Sequence, residues 1–196
     1  MIDNLTAAVI AGGKSRRFGE PKSGALLGKK TMLDYAISLA GKIAPEVRLS
    51  VGNNQLAGAP GIPRIVDIYP DCGPLGGIYS VLKAAETPWV AMLPCDMPLL
   101  EPSVYKLMLS RRETNRPVAA ISPKGLEPLV SIWPKSLLAA LHAALEKKEF
   151  AIYKVMGTLN PVKVAMAEQL PGFRREMFYN VNRKEDLAEL KQLIRL

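Results

Sequence analysis

Between residues 12 and 22 the chain sets Gly12, Gly13 and Gly19 among Lys14, Arg16, Arg17 and Lys22. Paired glycines lack Cβ and tolerate positive φ, so backbone at Gly12-Gly13 can approach a ligand closely. Lys14, Arg16 and Arg17 fall within four residues and repel one another unless an anion sits among them, and a triphosphate has that chemistry. The run Gly12-Gly13-Lys14-Ser15 is no P-loop, because the glycine required five positions earlier is Ala8. It is no dinucleotide fingerprint either: Gly12 and Gly13 are adjacent and the next glycine is Gly19.

A second candidate group stands at Asp96, which follows an apolar run and lies between Pro94 and Pro98. Mg²⁺ prefers carboxylate oxygen, one or two per site, with phosphates and waters completing the octahedron. Asp96 is therefore the expected metal ligand, with helix capping as its structural alternative. Asp67 and Asp71 precede a Gly-Pro-Leu-Gly-Gly run at 73–77, and Asn180 and Asn182 stand near the far end of the chain. Asn182 also suits the cap of a following helix, with Glu185 three residues on completing a capping box.

The elements that must position these residues alternate between strand-length apolar runs and helical periodicity, which predicts an α/β fold with a mostly parallel sheet. Strands are expected at 6–12, 46–52, 64–67, 89–96, 117–122, 128–133 and 161–166, with a turn at 123–127. Helices are expected at 31–44, at 73–87 opened by Pro74, at 102–114 entered at Pro102 or capped by Ser103, at 134–149 and at 182–196. Ligands of such sheets bind at the carboxyl ends of the strands. His142 falls within the helix at 134–149 and reads as structural.

The chain has 196 residues, 48% of them hydrophobic, enough for one domain with its own core. Its organisation is expected to be a single domain over 1–196, with a nucleotide-binding half near 1–100 and an acceptor-binding half near 101–196. No apolar run reaches the ~20 residues of a membrane span, and the first residues carry neither a basic start nor an apolar leader, so a cytoplasmic protein is expected. Cys72 and Cys95 have no metal-type spacing and are expected to be reduced. The net charge of +8 favours anionic partners. With 6% aromatics and scattered charge, the chain has neither the stacking surface nor the basic helix of a nucleic-acid binder.

The segment Ile10-Ala11-Gly12-Gly13-Lys14-Ser15-Arg16-Arg17-Phe18-Gly19-Glu20-Pro21-Lys22 resembles the L-A-G-G-x-S-x-R-M-G-x-x-K signature of nucleotidyltransferases with a GT-A-type sheet. Gly73–Ile78 ("GPLGGI"), Pro94–Leu100 ("PCDMPLL") and Phe178–Leu187 ("FYNVNRKEDL") are similar to further motifs of the molybdenum cofactor guanylyltransferases, the MobA family. The four blocks lie in order across nearly the whole chain. Phe18 and Pro21 depart from the signature's Met and the usual Asp, and an extra residue follows Lys22.

The resemblance implies a Rossmann-like three-layer α/β/α sandwich and Mg²⁺-dependent transfer of GMP from GTP to the phosphate of molybdopterin. It implies nucleotide contacts from Ile10, Ala11, Gly12, Gly13, Lys14, Lys22, Asp67 and Asp96. A base contact is expected from Gly52, Asn53 or Asn54, with Asn53 the preferred candidate. Lys22, Arg17 and Asp96 would carry catalysis, Asp96 would hold Mg²⁺, and Asn180 and Asn182 would face the acceptor. Expected partners are GTP, molybdopterin, and molybdoenzymes or other cofactor-assembly proteins. Alternatives are a cytidylyltransferase, an enzyme using another phosphorylated acceptor, and a non-catalytic GTP-binding assembly protein. Arg174 and Arg175 face either the pterin phosphate or solvent.

Overall fold

A computed structural model describes residues 3–12, 18, 22–53 and 58–194. Its centre is a seven-stranded sheet. In chain order the strands are β1 (Leu5–Ile10), β4 (Glu46–Gly52), β5 (Arg64–Val66), β6 (Trp89–Pro94), β7 (Val118–Ser122), β8 (Gly125–Pro134) and β9 (Val162–Ala165). A separate two-stranded hairpin, β2 (Leu26–Leu27) and β3 (Lys30–Thr31), lies between β1 and β4 in sequence. Across the main sheet the order is β5-β4-β1-β6-β8-β7-β9. Only β8 runs against its neighbours; the other pairings, β5 to β4, β4 to β1, β1 to β6 and β7 to β9, are parallel.

Period-two alternation puts Leu5, Ala7 and Val9 of β1 on one face and Ala8 and Ile10 on the other, all buried. Helices α1 (Met32–Ile43) and α3 (Pro102–Ser110) cover the first face; α2 (Gly73–Ala84), α4 (Leu138–Glu146) and α5 (Ile152–Thr158) cover the second. A strand buried on both faces has no need of polar alternation, which is why β1 and β6 read as continuous apolar runs. This is the expected α/β/α sandwich. The short α6 (Met166–Gln169) and a 3₁₀ turn at Arg175–Phe178 extend the first layer.

Local chemistry fixes the main helices. Thr31 caps α1 through a bond to its side chain from the Asp34 N–H (3.1 Å), and Asp34 accepts from the Thr31 N–H (2.8 Å), a closed capping box. Pro74 and Pro102 stand in the first turns of α2 and α3, where a missing N–H costs nothing; Ser103 makes no cap. The final helix, α7 (Lys184–Leu193), differs from expectation. Its N-cap is Arg183, and Asp186 takes the capping duty assigned to Glu185, accepting from the N–H groups of Asn182 (2.7 Å) and Arg183 (2.9 Å).

The segment expected as a turn at 123–127 is also different. Only Pro123 and Lys124 form the turn, and Gly125 already opens β8, so Glu127 is a strand residue opposite Ala120. Between Glu127 and Ser131 the ladder is interrupted: Ala119 pairs with Ser131 but Ala120 with Glu127. Ser131 donates to the Pro128 carbonyl (2.6 Å) and accepts from Trp133 Nε1 (2.8 Å), so the bulge loses no buried polar partner.

Candidate active site

Ala11, Gly12, Asn53, Asp67 and Asp96 lie at the carboxyl ends of parallel strands, on one edge of the sheet. Ile10 pairs with Ser50 of β4 on one side and with Pro94 of β6 on the other. The next residues, Ala11-Gly12 and Cys95-Asp96, therefore leave adjacent strands side by side. Asp67 follows β5, and Asn53 follows β4 and is exposed. Gly13, Lys14, Arg17 and Asn54 lie outside the described residues. Lys22 begins a 3₁₀ turn at Lys22–Gly24, just before the small hairpin; its side chain lies outside what is described.

The N–H groups of Ala11 and Gly12 both donate to the Ser50 carbonyl (2.9 Å each). Their N–H groups are thus engaged, which leaves their carbonyl oxygens as the backbone groups through which they could meet a ligand. A Cβ on Gly12 would stand 2.6 Å from the Gly52 nitrogen and 2.9 Å from the Val51 carbonyl carbon. Glycine here is the condition for the loop lying against β4.

Asp67 is wedged between strand and helix. Its N–H donates to the Gly52 carbonyl (3.2 Å), and its carboxylate lies where a Cβ on Gly76 or Gly77 would come within 3.6 or 3.5 Å. The glycines at 76 and 77 belong to α2 and let it lie close against Tyr69 and Ser50: a Cβ there would meet the Tyr69 carbonyl at 2.5 Å or Ser50 Oγ at 2.7 Å. Asp67 Oδ1 is buried and accepts no hydrogen bond from the described residues. Burial pushes its carboxyl above the ordinary carboxylate range. An acid whose pKa is raised on folding contributes a stability that declines as pH rises through the raised value. We therefore expect Asp67→Asn to melt at a higher temperature than the wild type at pH 8, with the gap closing toward pH 4, while GTP binds about tenfold more weakly for loss of one charged acceptor. Thermal melts at the two pH values and a calorimetric titration with GTP check this; equal GTP affinity would remove Asp67 from the site.

Asp96 is joined to the far end of the chain. Its carbonyl accepts from the Val181 N–H (2.9 Å), so Asn180, Val181 and Asn182 run directly beside it. Asn180 Oδ1 is buried with no partner among the described residues, while Asn182 is exposed. Arg174 pairs with Glu101. His142 packs beside Tyr69 and Tyr79, ring centroids 6.0 and 5.8 Å away, and serves α4 as a structural residue.

One residue escaped the sequence reading. Glu127 is half-buried, accepts from Ser122 Oγ (2.7 Å), and has its carboxyl raised by burial, with the charge of Asp96 adding to the rise. No local sequence signal marks it, because its place depends on the break in the ladder, where Ala119 pairs with Ser131 but Ala120 with Glu127. The β8 bulge brings Glu127 to the rim beside Asp96.

Phe18, Leu27, Met32, Val181, Leu187 and Leu190 form a separate apolar cluster. It brings Phe18, the small hairpin, the start of α1 and α7 together.

A family model described as the MobA-like NTP transferase domain matches residues 7–162. Curated relatives named probable molybdenum cofactor guanylyltransferase are similar to the chain. The one from Pyrococcus furiosus is 35% identical, with 97% of this chain and 98% of that protein aligned. The one from Carboxydothermus hydrogenoformans is 31% identical, with 100% and 99% aligned. The crystal structure of molybdopterin-guanine dinucleotide biosynthesis protein A from Archaeoglobus fulgidus superposes with a TM-score of 0.82 at 20% identity, over 97% of this chain and 98% of that one. No helix among the described residues is long and apolar enough to cross a membrane.

Proposed function

The chain belongs to the MobA-like nucleotidyltransferase family, and from that premise we infer that it transfers GMP from GTP to the terminal phosphate of molybdopterin, releasing pyrophosphate. The observation that carries this reading is the convergence of Ala11-Gly12, Asp67 and Asn180 around Asp96 along one sheet edge. A site with a nucleotide half and an acceptor half needs that layout.

In the reaction an oxygen of the acceptor phosphate bonds to the α-phosphorus of GTP. The bond from that phosphorus to the bridging oxygen breaks, and its electron pair leaves with pyrophosphate. A phosphate monoester is largely dianionic at neutral pH, its second pKa being about 6. The nucleophile therefore needs no general base, consistent with a lone histidine packed against tyrosines. Catalysis consists of holding two anions together and balancing the charge that develops on the leaving group.

Asp67 would accept from the nucleoside, and the carbonyls of Ala11 and Gly12 would face base and ribose. Lys22, Arg17 and Lys14 would balance the triphosphate. The carboxylate of Asp96 and the orphaned Oδ1 of Asn180 are hard oxygen donors of the kind Mg²⁺ accepts. Asp96 would hold the ion, which when bound neutralises phosphate charge. Asn180 and Asn182 would line the acceptor side, with Asn182 held beside α7 by Asp186.

The test is pyrophosphate release in the presence of Mg²⁺ and molybdopterin, comparing GTP, CTP, ATP and UTP. Release with GTP alone, abolished by EDTA, is the expected result. Preference for CTP would make the chain a cytidylyltransferase. GTP binding without release would make it a carrier in cofactor assembly.

A further inference from the structure

The acceptor half poses an electrostatic problem. Asp96 and Glu127 both stand on the rim where the acceptor phosphate must arrive. Strands in a sheet are about 4.8 Å apart, and Glu127 on β8, one strand from β6, is near enough for the charge of Asp96 to act on it. A dianion approaching two carboxylates needs a cation of its own, besides whatever neutralises the triphosphate.

Among the described residues, Lys124 stands in the right place. It occupies the two-residue turn from the carboxyl end of β7 into β8. Its N–H donates to Ser122 Oγ (3.0 Å), and the same hydroxyl donates to Glu127, so one serine fixes both the turn and the carboxylate. The Lys124 ammonium lies 5.8 Å from the ring centroid of Tyr179, the residue before Asn180. That ring is itself fixed: its hydroxyl donates to Glu189 of α7 (2.7 Å), and burial, then Glu189, push the phenol up to about 12, so it stays neutral at any working pH. The attraction of an ammonium to an aromatic face is worth only ~0.5–1 kcal/mol at an exposed site. It orients the lysine without holding it against a stronger anionic partner. Lys124 remains exposed, open to a ligand.

We propose that Lys124 is an acceptor-binding residue: its ammonium, parked over Tyr179 and beside the Ser122–Glu127 pair, takes the phosphate of the incoming acceptor and offsets the repulsion from Asp96 and Glu127. This rests on the function proposed above, since it presupposes a phosphorylated acceptor on this side of Asp96. Tyr179, Ser122 and Glu127 act through Lys124 as positioning residues.

The experiment is a comparison of wild type, Lys124→Ala and Lys124→Arg. Steady-state transfer is measured at varied molybdopterin and varied GTP, and molybdopterin binding is followed separately by pterin fluorescence. For Lys124→Ala the KM and dissociation constant for molybdopterin are expected to rise about tenfold. The KM for GTP stays near wild type, kcat at saturating acceptor changes far less than KM, and the salt dependence of acceptor binding becomes shallower. Lys124→Arg should restore most of the affinity, since it restores the charge. Unchanged molybdopterin affinity in Lys124→Ala would overturn the proposal. So would a parallel loss of GTP affinity, which would put Lys124 on the triphosphate. A wild type that binds GTP but neither binds nor modifies molybdopterin would instead overturn the proposed function, and Lys124's role with it.

Discussion

Asp96→Ala is expected to lower the rate of GMP transfer by about a thousandfold or more while leaving the fold intact. Removing one preorganised electrostatic contact to a developing charge typically costs roughly 10²–10³, and Asp96 would be lost together with the divalent ion it is proposed to hold. The fold should survive because the Asp96 carbonyl that accepts from Val181 N–H is unaltered by the substitution. The side chain is only partly buried, and its removal relieves Glu127 of a like charge. Pyrophosphate release and a thermal melt of the same preparation check both halves of the expectation. Turnover near the wild-type rate would take Asp96 out of the mechanism.

The second large effect is expected at Gly12. In Gly12→Ala the new methyl would press on the Gly52 nitrogen and the Val51 carbonyl carbon, backbone atoms of a strand in mid-sheet. Neither can rotate away, so the loop must lift from β4 and surrender the paired bonds to Ser50. Overpacking of this kind costs roughly 1–3 kcal/mol, or about 2–10 °C of melting temperature in a chain of this size. A displacement of about 1 Å at a binding loop can cost ~10² in rate, and a loss of that order in kcat/KM for GTP is expected. Gly41→Ala is the control. Its Cβ would meet nothing on an exposed turn of α1, and exchanging glycine for alanine inside a helix stabilises by about 0.5–1 kcal/mol. Equal behaviour of the two variants would show that the close approach at Gly12 is not used.

How far these residues could be read from sequence depended on whether their signal was local. β1 and β6 were plain because a strand covered on both faces is apolar throughout, and α1 because Met32, Ala36, Leu39 and Ile43 recur at helical spacing. The reach of the strand-end rule was also local: once β1 and β6 are strands, Gly12 and Asp96 must emerge at their carboxyl ends. What could not be read was whatever depended on pairing. Nothing in Gly125–Pro134 announces that this strand also inserts beside β6, and β7 and β8 read as a hairpin with a longer turn. Glu127 was therefore placed in that turn, though the bulge at Pro128–Val130 sends it to the rim beside Asp96. The cap of α7 was misread by one position for a simpler reason. Asn182 and Arg183 both precede the helix, and an aspartate at 186 is short enough to reach both N–H groups.

The cluster of Phe18, Leu27, Met32, Val181, Leu187 and Leu190 has a consequence for the order in which the protein becomes competent. The last strand of the main sheet ends at Ala165, so a chain folded that far has every sheet pairing it will ever have. Phe18 and Leu27 would still lack the apolar wall supplied by Val181 and α7, and Asp96 would lack the backbone N–H that bonds to its carbonyl. During synthesis, assembly of the sheet and assembly of the site are thus separate events, divided by the time taken to make residues 166–190. A truncated chain should hold nucleotide poorly, because Val181 and the final helix are what cover Phe18 and the small hairpin, parts made near the very beginning.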